Sequence, residues 1–169
     1  MNNKDIKFLI MDVDGTLTDG RIYMGAAGEL CKAFDVKDGA GICGILPEFG
    51  IVPVILTGRQ SQIVLNRCAE LGIDRVYQNC GDKLEKMDEM LAEQSKWDGA
   101  AYTAANCAYI GDDILDLPCM REIKAAGGVV GCPHDAVASV QRIADYVSTK
   151  DGGRGAVREF IEWLTHTHI

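Results

Sequence analysis

The sequence predicts an α/β fold: a three-layer, Rossmann-like sandwich with a central parallel sheet, a β-hairpin flap after the first strand, and no cap domain. Three observations carry this. Short continuous apolar runs alternate with stretches of helical periodicity, the pattern of a parallel sheet covered on both faces. The connections between them are short, and no stretch reads as a second folded unit. The length of 169 residues suits one core, so residues 1–169 are expected to form a single domain.

The run from Ile6 to Val13 ends in acids and reads as a buried first strand. Ile51 to Leu56, Arg75 to Tyr77, Cys107 to Ile110, Gly128 to Val130 and Tyr146-Val147 follow as further strands. Between them, Asp38 is expected to cap a helix running to about Glu48. Ser61 is expected to cap another, in which Ile63, Val64, Arg67, Cys68 and Leu71 recur at helical spacing before Gly72 stops it. Lys83 to Gln94 is amphipathic, with Leu84, Met87, Met90 and Leu91 on one face. Asp116 to Ala125, Ala136 to Ile143 and Gly155 to Thr165 complete the helices. The segment from Arg21 to Val36 breaks the rhythm. Two short runs there flank a turn containing Gly25 and Gly28, which predicts the hairpin flap. The small, polar stretch from Ser95 to Asn106 reads as a surface loop.

Composition narrows the function. Hydrophobic residues at 47% and charged residues at 25% are those of a soluble globular protein. A net charge of -8 argues against a nucleic-acid partner, since phosphate backbones are held by Lys and Arg. It leaves room for a phosphorylated small molecule, because one metal ion and a few cations can reverse the field inside a pocket. The seven cysteines include no C-x-x-C pair and read as reduced core residues of a cytoplasmic protein. Met1 to Asp5 lead straight into the first strand. With no apolar signal region and no run approaching the ~18 apolar residues of a membrane span, neither secretion nor a membrane partner is expected. His166 and His168 read as solvated.

The chemistry gathers at strand ends. Asp12-Val13-Asp14-Gly15-Thr16 closes the first strand, and residues two apart on a strand point the same way, so Asp12 and Asp14 converge where open α/β sheets bind ligands. Two carboxylates this close need a cation or a proton between them. Ile55-Leu56-Thr57-Gly58-Arg59 ends a second buried strand in a hydroxyl, a glycine and a cation, a grip for a phosphoryl oxygen; a Thr-Gly alone would be a plain turn. Lys83 opens a helix after Cys80-Gly81-Asp82, and by itself would read as solvated. Tyr109-Ile110-Gly111-Asp112-Asp113, with Asp116 one turn on, suggests a site for a hard cation such as Mg²⁺.

In this order the motifs resemble those of the haloacid dehalogenase superfamily of phosphohydrolases, over nearly the whole chain. The runs Asp12 to Gly20, Tyr23-Met24-Gly25, Lys32-Ala33-Phe34, Lys37-Asp38-Gly39, Leu56 to Arg59, Arg67-Cys68, Leu71-Gly72-Ile73, Tyr109 to Asp113 and Gly152 to Glu159 are similar to one capless branch. That branch is the 3-deoxy-D-manno-octulosonate 8-phosphate phosphatases, with the related nonulosonate 9-phosphate phosphatases. The resemblance implies Asp12 as nucleophile, Asp14 as acid and base, and Thr57 and Lys83 on the phosphate. It implies Mg²⁺ on the Asp12 carboxylate, the Asp14 carbonyl and Asp112, with Asp113 and Asp116 in outer positions. It also implies substrate contacts from Asp35, Val36, Lys37, Asp38 and Gly39, and from Arg59 and Arg67. Flap hairpins of the branch build a homotetramer in which neighbours cover each other's sites. A long C-terminal tail reaching a neighbour is expected to be shortened or absent here. Arg154 is expected either near a pocket, a neighbour's included, or as a surface arginine at a helix start. Four residues past Gly39 the octulosonate phosphatases often carry an arginine where this sequence has Cys43. Arg59, by contrast, favours the octulosonate over the nonulosonate substrate.

Two other classes compete. A receiver domain also handles phospho-aspartate with acids, Thr, Lys and Mg²⁺, but its phosphorylated Asp ends the third strand and no Gly-Asp-Asp follows. A non-catalytic assembly module would not need Asp12 and Asp14 intact.

Overall fold

The structure is a computed structural model and describes residues 6–166; the expectations for Met1 to Asp5 and for His168 fall outside them. Strand β1 (Phe8–Met11) is followed by a hairpin of β2 (Tyr23–Gly25) and β3 (Gly28–Cys31). The sheet is completed by β4 (Val52–Leu56), β5 (Arg75–Tyr77), β6 (Cys107–Ile110), β7 (Val129–Cys132) and β8 (Tyr146–Val147). Its order is β5-β4-β1-β6-β7-β8, and every pairing is parallel. Met11, the last residue of β1, pairs with Ile55 on one side and Ile110 on the other, so three strands end together.

All four residues of β1 are buried, which is why the strand reads as a continuous apolar run. Alternation then divides the core. Leu9 and Met11 pack with Val64 and Cys68 of α2 (Gln62–Glu70) and with Val157, Phe160 and Ile161 of α6 (Ala156–Thr165). Phe8 and Ile10 pack on the other face with Met87 and Met90 of α3 (Lys83–Asp98), Met120 and Ile123 of α4 (Leu117–Ala126), and Val140 of α5 (Ala138–Gln141). The three-layer sandwich expected from the sequence is therefore present.

Several local expectations need correction. The helix expected to begin at Asp38 begins earlier. Asp35 is its N-cap, accepting the Lys37 N–H at 2.7 Å, and α1 (Val36–Ala40) passes into a π turn at Gly41–Ile45 and a 3₁₀ turn at Leu46–Phe49. Asp38 lies inside, buried, with its Oδ1 accepting the Arg158 N–H of α6 at 2.8 Å. Tertiary contact with α6 decided between two aspartates that are locally equivalent as caps. The stretch from Ser95 to Asn106 is not simply loop. Helix α3 runs to Asp98, where Gly99 stops it in the left-handed region at φ 72°. The Ser95 hydroxyl donates to the Leu91 carbonyl at 2.7 Å and accepts the Tyr102 N–H at 2.9 Å, which ties down the return, and Ala104–Asn106 forms a 3₁₀ turn. Helix α5 is shorter than Ala136 to Ile143, because Val137 is still extended.

The hairpin covers Tyr23–Cys31, with Met24 and Leu30 more than half exposed. Five cysteines are buried, Cys31 and Cys43 are exposed, and all seven are free. Among the described residues no helix is long and apolar enough to cross a membrane.

Candidate active site

The loops leaving β1, β4 and β6 form one cleft. Asp12 follows β1 directly and is buried; Asp14, two residues on, is partly open. Gly15 makes the turn between them and the rest of the loop at φ 100°, and a Cβ there would overlap the Asp112 carboxylate. The same close approach lets the Thr16 hydroxyl donate to Asp112 Oδ1 at 3.0 Å. Asp12, Asp14, Thr57, Gly58, Arg59, Lys83, Asp113, Leu115 and Asp116 line a cavity of about 190 Å³.

Lys83 is not the solvated lysine that its position alone would suggest. Asp82 caps α3 by accepting the N–H groups of Leu84 and Glu85, and the first residue of the helix is thereby held under the strand ends. Lys83 Nζ donates to Asp12 Oδ1 at 2.6 Å and to Asp116 Oδ1 at 2.7 Å, with all three side chains buried. These two carboxylates hold the ammonium charged and raise its pKa against the opposing pull of burial.

Oxygens of Asp12, Asp112 and Asp116 lie within 4.8 Å of one another. They are not equivalent. Asp116 Oδ1 accepts from Lys83 and from the Tyr109 hydroxyl at 2.7 Å, while its Oδ2 accepts the N–H groups of Asp112 at 3.0 Å and Asp113 at 3.1 Å. Both oxygens are filled, so Asp116 is an outer support rather than a cation ligand. Asp113 turns its carboxylate to the Ile114 N–H at 2.7 Å. Asp12 and Asp112 remain as donors. Burial pushes the Asp12 carboxyl up to about 6 despite Lys83, and burial with the neighbouring Asp12 and Asp116 charges pushes Asp112 up to about 8. One buried and one half-buried carboxylate, with more negative charge than Lys83 can offset, fit a hard divalent cation.

The residues expected to contact substrate are divided. Arg59 lines the cleft, its Nε 3.8 Å from Asp14 Oδ2. Asp35, Asp38, Gly39 and Arg67 line a second, largely apolar pocket instead, with Phe34 and Leu71. Arg67 donates to Glu70 at 2.9 Å and lies over the Phe34 ring at 5.9 Å, because at its place in α2 it faces α1 rather than the strand ends. Its Nε and Asp38 Oδ2 are buried without hydrogen-bond partners. Val36 and Lys37 are exposed. The Cys43 thiol donates to the Leu71 carbonyl at 3.3 Å, and Arg154 is exposed.

Three participants received no role from the sequence, although Lys32 and Tyr109 lie within its motif runs. Lys32, just beyond the hairpin, hydrogen-bonds Asp14 Oδ1, and Glu29 on the hairpin accepts the Ser61 hydroxyl, so Ser61 holds the expected N-cap position of α2 without a side-chain bond to the helix. Tyr109 supports Asp116 from inside β6; a tyrosine in a wholly buried strand needs a polar partner, and that was a usable signal.

No protein-family model matches the chain. The 3-deoxy-D-manno-octulosonate 8-phosphate phosphatase KdsC of Escherichia coli K12 is 41% identical over 162 residues, which is 95% of this chain and 80% of that protein. The chain belongs to the 3-deoxy-D-manno-octulosonate 8-phosphate phosphatase family. Structures of the family superpose well. The enzyme from Yersinia pestis matches with a TM-score of 0.85 and 40% identity, covering 96% of this chain and 82% of that one. The enzyme from Moraxella catarrhalis, in complex with magnesium, phosphate and KDO, matches with a TM-score of 0.81 and 39% identity, over 96% and 87%. The family's phosphatases belong to the haloacid dehalogenase superfamily, in line with the order of motifs from Asp12 to Asp116.

Proposed function

We propose that this protein is a Mg²⁺-dependent phosphoric monoester hydrolase that converts 3-deoxy-D-manno-octulosonate 8-phosphate to the free sugar acid and phosphate, in lipopolysaccharide sugar biosynthesis. The observation that carries this reading is the convergence of Asp12, Asp14, Thr57, Lys83 and Asp112 in one cleft and at its rim, in a chain 41% identical to KdsC.

Asp12 attacks phosphorus with its free carboxylate oxygen, Lys83 holding the other. The bond from phosphorus to the sugar oxygen breaks, and Asp14 gives its proton to that oxygen as it leaves. A water then attacks the aspartyl phosphate while Asp14 takes its proton, which restores Asp12 and releases phosphate. Thr57 and Lys83 bind phosphoryl oxygens. The Asp12 carboxylate, the Asp14 carbonyl and Asp112 would hold Mg²⁺, which would supply positive charge to offset the repulsion between a phosphate dianion and a carboxylate. Asp113 and Asp116 keep these ligands oriented.

Arg59, beside Asp14, is the cation best placed to meet the sugar acid. The segment from Asp35 to Gly39 and Arg67 supply further contacts once the Arg67 guanidinium leaves Glu70. The exposed Tyr23, Met24 and Leu30 of the hairpin support assembly into a homotetramer of single-domain chains. Seven free thiols support a cytoplasmic location.

A phosphate-release screen tests the reading, using octulosonate 8-phosphate, nonulosonate 9-phosphates and simple sugar phosphates, with Mg²⁺ or with EDTA. The octulosonate ester should give the highest kcat/KM, and EDTA should abolish release. A simple sugar phosphate preferred by about tenfold, or about 1.4 kcal/mol, would overturn it.

A further inference from the structure

Lys32 leaves the hairpin at its edge, yet its side chain is only 1% exposed. A lysine buried at such a place needs anionic partners, and it has two. Its Nζ donates to Asp14 Oδ1 and lies 2.9 Å from Glu29 Oε1, an ion pair set off the hydrogen-bond axis. Glu29 is itself fixed, because its Oε2 accepts the Ser61 hydroxyl. Ser61 follows the Thr57 to Arg59 loop and donates its backbone N–H to Gln78 Oε1 at 2.7 Å. A chain of polar contacts thus joins the hairpin, the second aspartate of the cleft and the phosphate-side loop, within one subunit.

The two oxygens of Asp14 are thereby made different. Oδ1 is occupied by Lys32. Among the described residues no hydrogen bond reaches Oδ2, whose nearest cation is Arg59 Nε at 3.8 Å. We propose that Lys32 is a positioning residue for Asp14, pinning Oδ1 so that Oδ2 alone passes the proton to the leaving oxygen and takes it back from the attacking water. This rests on the reading of Asp14 as acid and base given above. It assigns the hairpin a part in the chemistry of its own subunit.

The test compares Lys32→Met, which keeps the length of the side chain and removes its donors, with Lys32→Arg and Glu29→Gln. Each is assayed on octulosonate 8-phosphate, whose alkoxide leaving group needs a proton, and on p-nitrophenyl phosphate, whose phenolate does not. For Lys32→Met, kcat on the sugar phosphate should fall by about tenfold or more while KM stays within about threefold. On p-nitrophenyl phosphate the aspartyl phosphate should form at the wild-type rate and accumulate as a burst, because its hydrolysis still needs Asp14. Lys32→Arg should recover part of kcat. Glu29→Gln should show a weaker form of the same split, and it decides the matter if Lys32→Met does not fold. A lysine that merely fastens the hairpin would change KM or thermal stability and leave kcat alone; that result, or equal slowing of aspartyl phosphate formation with both substrates, overturns the proposal. Wild-type turnover that is lost in Asp14→Asn but untouched in Lys32→Met sinks the role of Lys32 alone. No turnover of any phosphomonoester by the wild type sinks the functional reading and this proposal with it.

Discussion

Lys83 Nζ stands 2.7 Å from Asp116 Oδ1, with both side chains buried. The same ammonium reaches Asp12 Oδ1 at 2.6 Å, so a single charge holds the proposed nucleophile and its support together. Lys83→Met would leave two buried carboxylates without their cation. The expected cost is about 3–5 kcal/mol of stability, read from urea denaturation, and a fall in kcat of about a hundredfold or more, read from phosphate release. A variant with wild-type urea resistance would mean that the pairing is not what holds Asp116.

Magnesium should stabilise the fold through Asp112. At a free concentration about a hundred times Kd, a bound ligand adds about 2.7 kcal/mol, or about 5–10 °C in Tm for a chain of this size. Asp112→Asn should lose that shift. It should also melt higher than the wild type without metal, since it removes one of the mutually repelling carboxylates that burial leaves uncompensated. Differential scanning fluorimetry with MgCl₂ or EDTA distinguishes these outcomes.

Asp38 makes a pH-dependent contribution. Burial lifts its carboxyl from 3.8 to about 6, against the Arg158 N–H that it accepts. The folded chain therefore holds this proton more tightly than the unfolded chain does. Its contribution to stability is full below about pH 4 and is lost as pH rises through about 6, by about 2–3 kcal/mol. Asp38→Asn should match the wild type at pH 4 and exceed it at pH 8 in denaturant melts. An advantage independent of pH would contradict this.

Gly152 should tolerate no side chain. A Cβ there would overlap the Gly15 carbonyl, which is backbone and cannot swing away. Gly152→Ala should cost about 1–3 kcal/mol and displace the loop carrying Asp14. We expect kcat to drop about tenfold to a hundredfold with KM little changed. Steady-state kinetics beside a thermal melt would check both.

The centre of the sheet was legible because its strands are buried on both sides. Cys107–Ile110, wholly buried, stands where its apolar run places it, and the half-buried edge-side strand Arg75–Tyr77 keeps its expected bounds. The positions of the candidate site residues were equally legible, since Asp12, Thr57 and Asp112 sit just beyond strand ends set by the backbone. What escaped was settled by partners far along the chain. Helix α1 takes Asp35 as its N-cap because Asp38 is needed by Arg158. Ser61 gives its hydroxyl to Glu29 rather than to its own helix. Arg67 has the spacing to follow Arg59 toward the cleft, but α1 and Phe34 receive it first. Asp116 could be recognised as a support only after Tyr109 and two backbone N–H groups were seen to fill it.

The glycine pair Gly152-Gly153 has a consequence for the order of folding. The Gly153 N–H donates to the Thr16 carbonyl at 3.0 Å, so the turn that carries Asp14 is braced by residues far along the sequence. A contact that closes so long a loop costs chain entropy before it returns any energy. The turn between the acids should therefore gain its backing late, after the strands beside it have paired.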